Sequence, residues 1–140
     1  MKNLYTILLC LLFSGTLFTI QAQDAQQLKD VPEVSTDKVE VYYFHNERRC
    51  ATCNAVEDVT EAALDEYYSE QLKAGTVTFQ SLNIEEDANE ALAKELRISG
   101  QTLLIIINGK KKDLTNDAFM YARSNPEKLM EKIHKTIGNI

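Results

Sequence analysis

Hydrophobic and polar positions predict a strand followed by a long helix. Residues 39–44 are mainly β-branched and aromatic and alternate with period two, which is typical of a strand. From about Cys50 the period lengthens to that of a helix, with Val56 and Val59 on one apolar face. Gly75 is expected to end this helix, because glycine readily takes the left-handed conformation found just after a helix.

The middle of the chain alternates between strand and helix patterns. Residues 77–84 return to a strand pattern, and residues 88–96 have the apolar spacing of a short helix. Residues 102–107 form a continuous apolar, β-branched run. Such a run predicts a strand that is buried on both faces of a sheet.

Turn and capping residues predict a hairpin and a last helix in the C-terminal part of the chain. Asn108-Gly109 is a hairpin signal, so residues 110–114 are expected to pair back antiparallel. Asn125 and Pro126 are typical of the N-cap and first position of a last helix. The predicted order is β-α-β-α-β-β-α, an α/β fold with a mixed sheet of about four strands and helices on both faces.

The first 22 residues have the layout of a secretory signal peptide. Lys2 precedes a largely apolar stretch from Leu4 to Ile20, followed by the small residue Ala22 and a polar segment. We expect cleavage after Ala22. An uncleaved membrane anchor is the less favoured alternative, because the apolar run is near the lower length limit for a bilayer span and no basic cluster follows it.

Length and charge limit the number of domains and the classes of partner that can be expected. Residues 23–38 are polar and without periodicity, which predicts a linker before one domain at residues 39–140. Removing residues 1–22 takes away one basic residue and no acidic one, which changes the formal net charge from −6 to −7. Nucleic acid is therefore not an expected partner. We expect a periplasmic or otherwise exported monomer, without stable membrane insertion once the signal is removed.

Two of the three cysteines, Cys50 and Cys53, belong to the predicted domain. An exported protein meets oxidising conditions, so the pair can form a disulfide. A loop this short gains little stability from chain entropy. Redox or metal chemistry is therefore favoured over a structural role.

The position of this pair at the start of a helix favours redox chemistry. A helix N-terminus stabilises negative charge, and Arg48 and Arg49 could add positive potential, so the thiolate is favoured. We expect Cys50 to attack a substrate disulfide and Cys53 to resolve the mixed disulfide. The favoured function is thiol–disulfide exchange with an exported protein that carries thiols or a disulfide. Two alternatives stay open, a metal-binding module that uses the thiolates and His45, and a non-catalytic interaction domain.

The segment of strand, loop, C-A-T-C and helix resembles the active-site segment of thioredoxins. The letters L-N-I-E at 82–85, a short helix and T-L-L-I at 102–105 are similar to the thioredoxin pattern of L-N-I-D, helix and P-T-L-L. The resemblance covers residues 39–138 and implies a thioredoxin-like fold.

A closer resemblance is to the ArsF family of small exported bacterial proteins, on Y-Y-F-H followed by R-R-C-A-T-C. Those proteins carry the name of nitrophenyl-compound nitroreductase subunits. Here no G-x-G-x-x-G and no phosphate-cradling loop is present, so neither that activity nor a cofactor is expected.

One departure from the thioredoxin pattern concerns a cis-proline that the resemblance implies beside the dithiol. Here Gln101 precedes Thr102, and a cis bond is costly without proline, so a trans peptide is expected. In the family this proline disfavours metal capture, and its absence favours the metal alternative. We expect Gln101 and Thr102 to face Cys50 and bind substrate, with residues 102–107 antiparallel to 39–44.

A second departure concerns the acid that thioredoxins bury behind the dithiol as a proton relay. The first strand offers only Glu40, which is expected to lie too far back. His45 is expected to face solvent at the strand end, and His134 to lie on the surface of the last helix. Core positions are expected for Tyr42, Tyr43 and Tyr67.

Overall fold

The computed structural model describes residues 37–138. Its elements are β1 (Val39–His45), α1 (Ala51–Ala74), β2 (Val77–Asn83), α2 (Asp87–Leu96), β3 (Thr102–Ile107), β4 (Lys110–Asp113), α3 (Thr115–Tyr121) and α4 (Pro126–Ile137). The predicted signal peptide at residues 1–22 lies outside the described residues, as does the predicted linker apart from Asp37 and Lys38. Within the described range, no helix has the length and apolar character needed to cross a membrane.

The sheet has the order β2-β1-β3-β4. Strand β1 pairs parallel with β2 and antiparallel with β3, and β4 pairs antiparallel with β3. The predicted antiparallel relation of β1 and β3 is confirmed, with Phe44 opposite Thr102. The end of β1 and the start of β3 therefore meet at one edge of the sheet, where the chain also enters α1.

Local signals in the sequence correctly predict one turn and two helix boundaries. Asn108 and Gly109 have φ values of 49° and 78°, the positive angles that a two-residue hairpin turn requires. Gly75 follows α1 in the left-handed conformation with φ 75°. The side chain of Asn125 accepts the backbone N–H of Lys128 and so caps α4.

Strand β3 connects two hydrophobic clusters on opposite faces of the sheet. Leu103 and Ile105 belong to the larger cluster, which is formed with residues of α1, α3 and α4. Leu104 and Ile106 belong to a smaller cluster beside Ala93 of α2. The predicted burial of this strand on both faces, with helices on each side, is confirmed.

One element was not predicted, the short helix α3. Strand β4 ends at Asp113, one residue before the predicted end, and the Asp113 carboxylate accepts the backbone N–H of Thr115 at 2.8 Å. The helix has seven residues and buries Ala118. Because so short a helix depends on tertiary packing rather than propensity, its periodicity is too weak to identify. The observed order is therefore β-α-β-α-β-β-α-α.

The surface position expected for His134 is wrong. Its half-buried ring stacks on Tyr67 with centroids 4.4 Å apart, and its Nδ1 lies 2.8 Å from the Tyr68 hydroxyl. The same hydroxyl lies 2.9 Å from the carbonyl oxygen of Gly138. Tyr68 has non-helical backbone angles, so α1 kinks here against the end of α4. Contacts between helices this far apart in sequence leave no local pattern.

Candidate functional site

Cys50 is the N-cap residue of α1. Its backbone is extended, with φ −87° and ψ 166°, and its Sγ accepts the backbone N–H of Cys53 at 3.2 Å. A helix N-terminus leaves such N–H groups without intrahelical partners. In the reduced protein this position suits a negatively charged sulfur, because the helix dipole and the N–H group both favour an anion.

Cys50 and Cys53 are joined as a disulfide, with Cα atoms 5.0 Å apart. This confirms the prediction that the pair lies within bonding distance. Cys50 is exposed, whereas Cys53 is 2% exposed, so the expected difference in accessibility is also confirmed. The pair thus presents one sulfur to solvent and directs the other toward the sheet.

The predicted loop before β3 lies at the dithiol. Oε1 of the half-buried Gln101 is 3.2 Å from Sγ of Cys53, so the contact is with the inner cysteine rather than with Cys50 as expected. The inner sulfur points toward the sheet edge where β3 begins. No cis peptide occurs among the described residues, in agreement with a trans bond here. The Thr102 hydroxyl donates to the carbonyl oxygen of Gly100 at 3.0 Å.

Arg49 forms an ion pair with Glu57 rather than standing free beside the dithiol. Its guanidinium also lies 5.7 Å from the centre of the Tyr43 ring, within the range of a cation–π contact. Arg48 is exposed. Of the two positive charges expected next to Cys50, that of Arg49 is therefore paired with the Glu57 carboxylate from the second turn of α1.

Arg49 and the strands β1 and β2 carry three buried polar atoms without a partner in the described part of the chain. Tyr43 Oη, Arg49 Nε and Ser81 Oγ are buried and have no hydrogen-bond partner among the described residues. Tyr43 and Ser81 are direct partners in the β1–β2 register, so their side chains share one face of the sheet. Burial raises the pKa of the Tyr43 phenol, and the Arg49 charge opposes that rise. Glu57 and Ser81 were not predicted from the sequence, because neither an ion pair nor the burial of a polar atom leaves a local pattern.

The other candidate residues lie apart from the disulfide. Glu40, toward the opposite end of β1, pairs with Lys38 at 2.9 Å and accepts from the Tyr42 hydroxyl at 3.3 Å. His45 is half-buried rather than facing solvent, and its Nδ1 lies 2.9 Å from the carbonyl oxygen of Asn46. Within residues 37–138, no three His, Cys, Asp or Glu residues are grouped so as to hold a metal ion. His45 is therefore not gathered with the two cysteines.

Of the three tyrosines expected in the core, Tyr42 and Tyr43 are buried, and Tyr67 is half-buried against His134. Tyr43 lies nearest the functional region, under the Arg49 guanidinium. Tyr43, a core residue of β1, therefore also contacts the loop that leads into α1.

Comparisons with known proteins bear on the fold. No protein-family model matches the chain, and no curated protein matches its sequence. Among solved structures, thioredoxin O2 from Arabidopsis thaliana is similar, with a TM-score of 0.51 and 19% identity over 72% of this chain and 76% of that one. Thioredoxin f2 from Chlamydomonas reinhardtii gives a TM-score of 0.46 and 22% identity, over 71% of this chain and 80% of that one. The four-stranded mixed sheet and the likeness to thioredoxin O2 together show that this chain has a thioredoxin-like fold.

Proposed function

We propose that this protein is a thiol–disulfide oxidoreductase whose redox centre is the Cys50–Cys53 pair. The observation that carries the proposal is a disulfide at a helix N-terminus with one exposed and one buried sulfur. An exposed, anion-stabilised sulfur is suited to attack, and a buried neighbour is suited to resolution.

The reaction proceeds through two exchange steps. In the reduced protein the Cys50 thiolate attacks one sulfur of a substrate disulfide, which forms a mixed disulfide and expels the other substrate sulfur as a thiolate. The Cys53 thiolate then attacks the Cys50 sulfur and releases the second substrate thiolate. Two electrons pass to the substrate, and the protein is left with the disulfide seen in the structure. The same steps in reverse would oxidise a dithiol substrate.

Gln101 and Thr102 are the proposed substrate-binding residues. The Gln101 amide offers both a donor and an acceptor beside the inner sulfur, so it can bond a substrate backbone where proline could only pack. In the reduced protein the Cys53 thiol can itself donate to Gln101 Oε1. Approach of a substrate would then compete for the amide that contacts the resolving cysteine.

We further propose an exported protein with thiols or a disulfide as the partner, and a relation to the ArsF family. The support is the signal-like sequence of residues 1–22 and the R-R-C-A-T-C motif. Export is tested by producing the full chain in a bacterium with a periplasm and measuring the mass of the periplasmic product. A protein that starts near Gln23 is expected, and a full-length protein retained in the cytoplasm would contradict export.

The activity itself is tested with a fluorescent peptide disulfide and dithiothreitol as reductant. The wild-type protein is expected to accelerate reduction, and Cys50→Ser to abolish the acceleration. When the reduced Cys53→Ser variant is freed of dithiothreitol and mixed with the peptide disulfide, it is expected to stop at a mixed disulfide with the peptide, detectable as an added mass. A Cys50→Ser variant as active as wild type would contradict the proposal. Metal analysis of the reduced protein tests the alternative, which requires stoichiometric metal that is lost in Cys50→Ser.

A further inference from the structure

We propose that the outer edge of strand β2 is a docking site for an extended segment of a partner protein that carries apolar and basic side chains at alternate positions. The site consists of the outward backbone groups of β2 and of a groove between β2 and α1. This inference goes beyond the proposed redox function and does not depend on it, because no atom of the dithiol takes part.

Strand β2 lies at one end of the sheet, and among residues 37–138 only β1 pairs with it. The backbone N–H of Ile84, just after β2, donates to the carbonyl oxygen of His45. Backbone groups alternate in direction along a strand, so the even-numbered residues of β2 bond β1, and the N–H and C=O groups of Phe79 and Ser81 point outward. Such a row of groups is the surface to which a further strand adds.

A groove lies beside this edge, between α1 and β2. It has a volume of about 310 Å³ and is lined by Leu64, Leu72 and Phe79, together with Glu61 and Asp65. Phe79 packs against the larger hydrophobic cluster, so its side chain lies on the face of the sheet that α1 covers. An added strand places every second side chain on that same face. An apolar side chain at such a position can therefore enter the groove.

The charge at the groove is negative. Glu61 and Asp65 are exposed, and neither forms an ion pair within the described part of the chain. Burial raises the pKa of Glu61, and the neighbouring carboxylates of Glu57, Asp58 and Asp65 raise it further, against the charge of Arg49. These carboxylates repel one another, and a cation at the groove would relieve that repulsion. The groove is thus complementary to a lysine or arginine that accompanies the apolar side chain.

A second copy of this chain is a poorer occupant. Antiparallel pairing of two β2 edges about a two-fold axis would place side by side two α1 helices, each with six acidic residues and one basic residue. The other edge strand, β4, supplies Lys110, Lys111 and Lys112 but no apolar side chain for the groove. A partner segment with both apolar and basic residues satisfies the charge and the groove together.

The test uses the purified protein and a fluorescein-labelled peptide of sequence T-K-T-L-T-K-T-L-T, in which lysine and leucine share one face of a strand. Fluorescence anisotropy is expected to show saturable binding that is more than about tenfold tighter than that of T-E-T-L-T-E-T-L-T, because like charges meet at the groove. Two methylated forms of the lysine peptide test backbone pairing, one methylated at the lysine and leucine nitrogens and one at the threonine nitrogens. One form should lose binding and the other retain it, since only alternate groups face β2.

Asp65→Asn is expected to weaken binding of the lysine peptide by up to about fivefold, the scale of an exposed ion pair, and to reduce its salt dependence. The matched control is Glu66→Gln, which removes the adjacent exposed acid outside the groove and should weaken binding less. Equal weakening by both substitutions, or equal binding of both methylated peptides, would overturn the inference.

Amide hydrogen exchange identifies the edge itself. In the free protein the amides of Phe79 and Ser81 are expected to exchange faster than those of Thr78 and Gln80, which bond β1. The lysine peptide should slow exchange at Phe79 and Ser81 by at least about tenfold, and binding without this protection would contradict the proposal. Slow exchange in the free protein would assign the edge to the chain's own N-terminal residues, or to a second copy where it depends on protein concentration. Either assignment would overturn the inference.

Discussion

The sulfur of Cys53 lies 3.2 Å from the amide oxygen of Gln101, 48 positions further along the chain. The contact exists because β1 and β3 are antiparallel, which brings the start of β3 beside the end of β1. Helix α1 begins just beyond that end. The inner cysteine and the loop residue therefore meet at one edge of the sheet.

Replacing Gln101 tests the importance of this contact. Gln101→Pro is expected to change the rate of thiol–disulfide exchange or the affinity of the reduced protein for Zn²⁺, with the fold intact by circular dichroism. Gln101→Ala separates loss of the amide from gain of the proline ring. Unchanged exchange and unchanged Zn²⁺ affinity in both variants would mean that the amide does not act on the dithiol.

The N-cap role of Cys50 predicts a difference in stability between two substitutions. Cys50→Ser keeps a capping oxygen, whereas Cys50→Ala leaves the Cys53 N–H without its side-chain acceptor. Both variants lack the disulfide, so urea unfolding compares the caps alone. Cys50→Ser is expected to be more stable by about 1 kcal/mol. Equal stability would show that position 50 does not cap α1.

The unequal exposure of the two sulfurs predicts the order of chemical modification. In the reduced protein, iodoacetamide is expected to alkylate Cys50 before Cys53, because Cys50 is exposed and stands at the helix N-terminus. Peptide mapping after brief treatment identifies the modified residue. Earlier modification of Cys53 would reverse the proposed roles.

The sequence predicts the parts of the fold that depend on local pattern. The hairpin turn at Asn108 and the cap at Asn125 require particular backbone angles or a particular acceptor, so these residues carry a readable signal. The buried strand β3 is also readable, because both of its faces are apolar. The short helix α3 and the position of His134 depend on tertiary packing, which no local window contains.

The functional site could likewise be predicted only where it depends on local sequence. The C-x-x-C pair and its place after a strand identify the dithiol, and its resemblance to thioredoxins directs attention to Gln101. Glu57 was not predicted, because its ion pair with Arg49 and the partial burial of its side chain depend on tertiary packing. Neither the pairing nor the depth of a charged side chain follows from its spacing alone.

The hydroxyl of Tyr68 predicts a further stability effect. It bonds His134 and the carbonyl oxygen of Gly138 at the junction of α1 and α4. Tyr68→Phe should lower the free energy of unfolding by about 1–3 kcal/mol, because it leaves these groups without the hydroxyl. Tyr67→Phe, which keeps the ring stacked on His134, is the control and should change stability by less than about 0.5 kcal/mol.

Tyr68 also predicts that the stability of the folded protein depends on pH. Burial raises the pKa of Tyr68 to about 12 in the folded protein, against about 10 in an unfolded chain. The folded state holds this proton more tightly, so its contribution to stability is complete below pH of about 10 and is lost as pH rises toward 12. Urea unfolding between pH of about 10 and 12 should show a fall in the free energy of unfolding of the wild-type protein and a smaller fall in Tyr68→Phe. The same dependence of unfolding free energy on pH in both proteins would contradict a raised pKa for Tyr68.

The central claim, that Cys50 and Cys53 form a redox-active dithiol, is tested most directly by a redox titration of the purified protein in glutathione or dithiothreitol buffers. The fraction oxidised is measured by mass after alkylation of free thiols. A reversible two-electron couple between roughly −120 and −270 mV is predicted, the range of known dithiol oxidoreductases. A disulfide that fails to re-form on oxidation, or a potential well outside that range, would contradict the account.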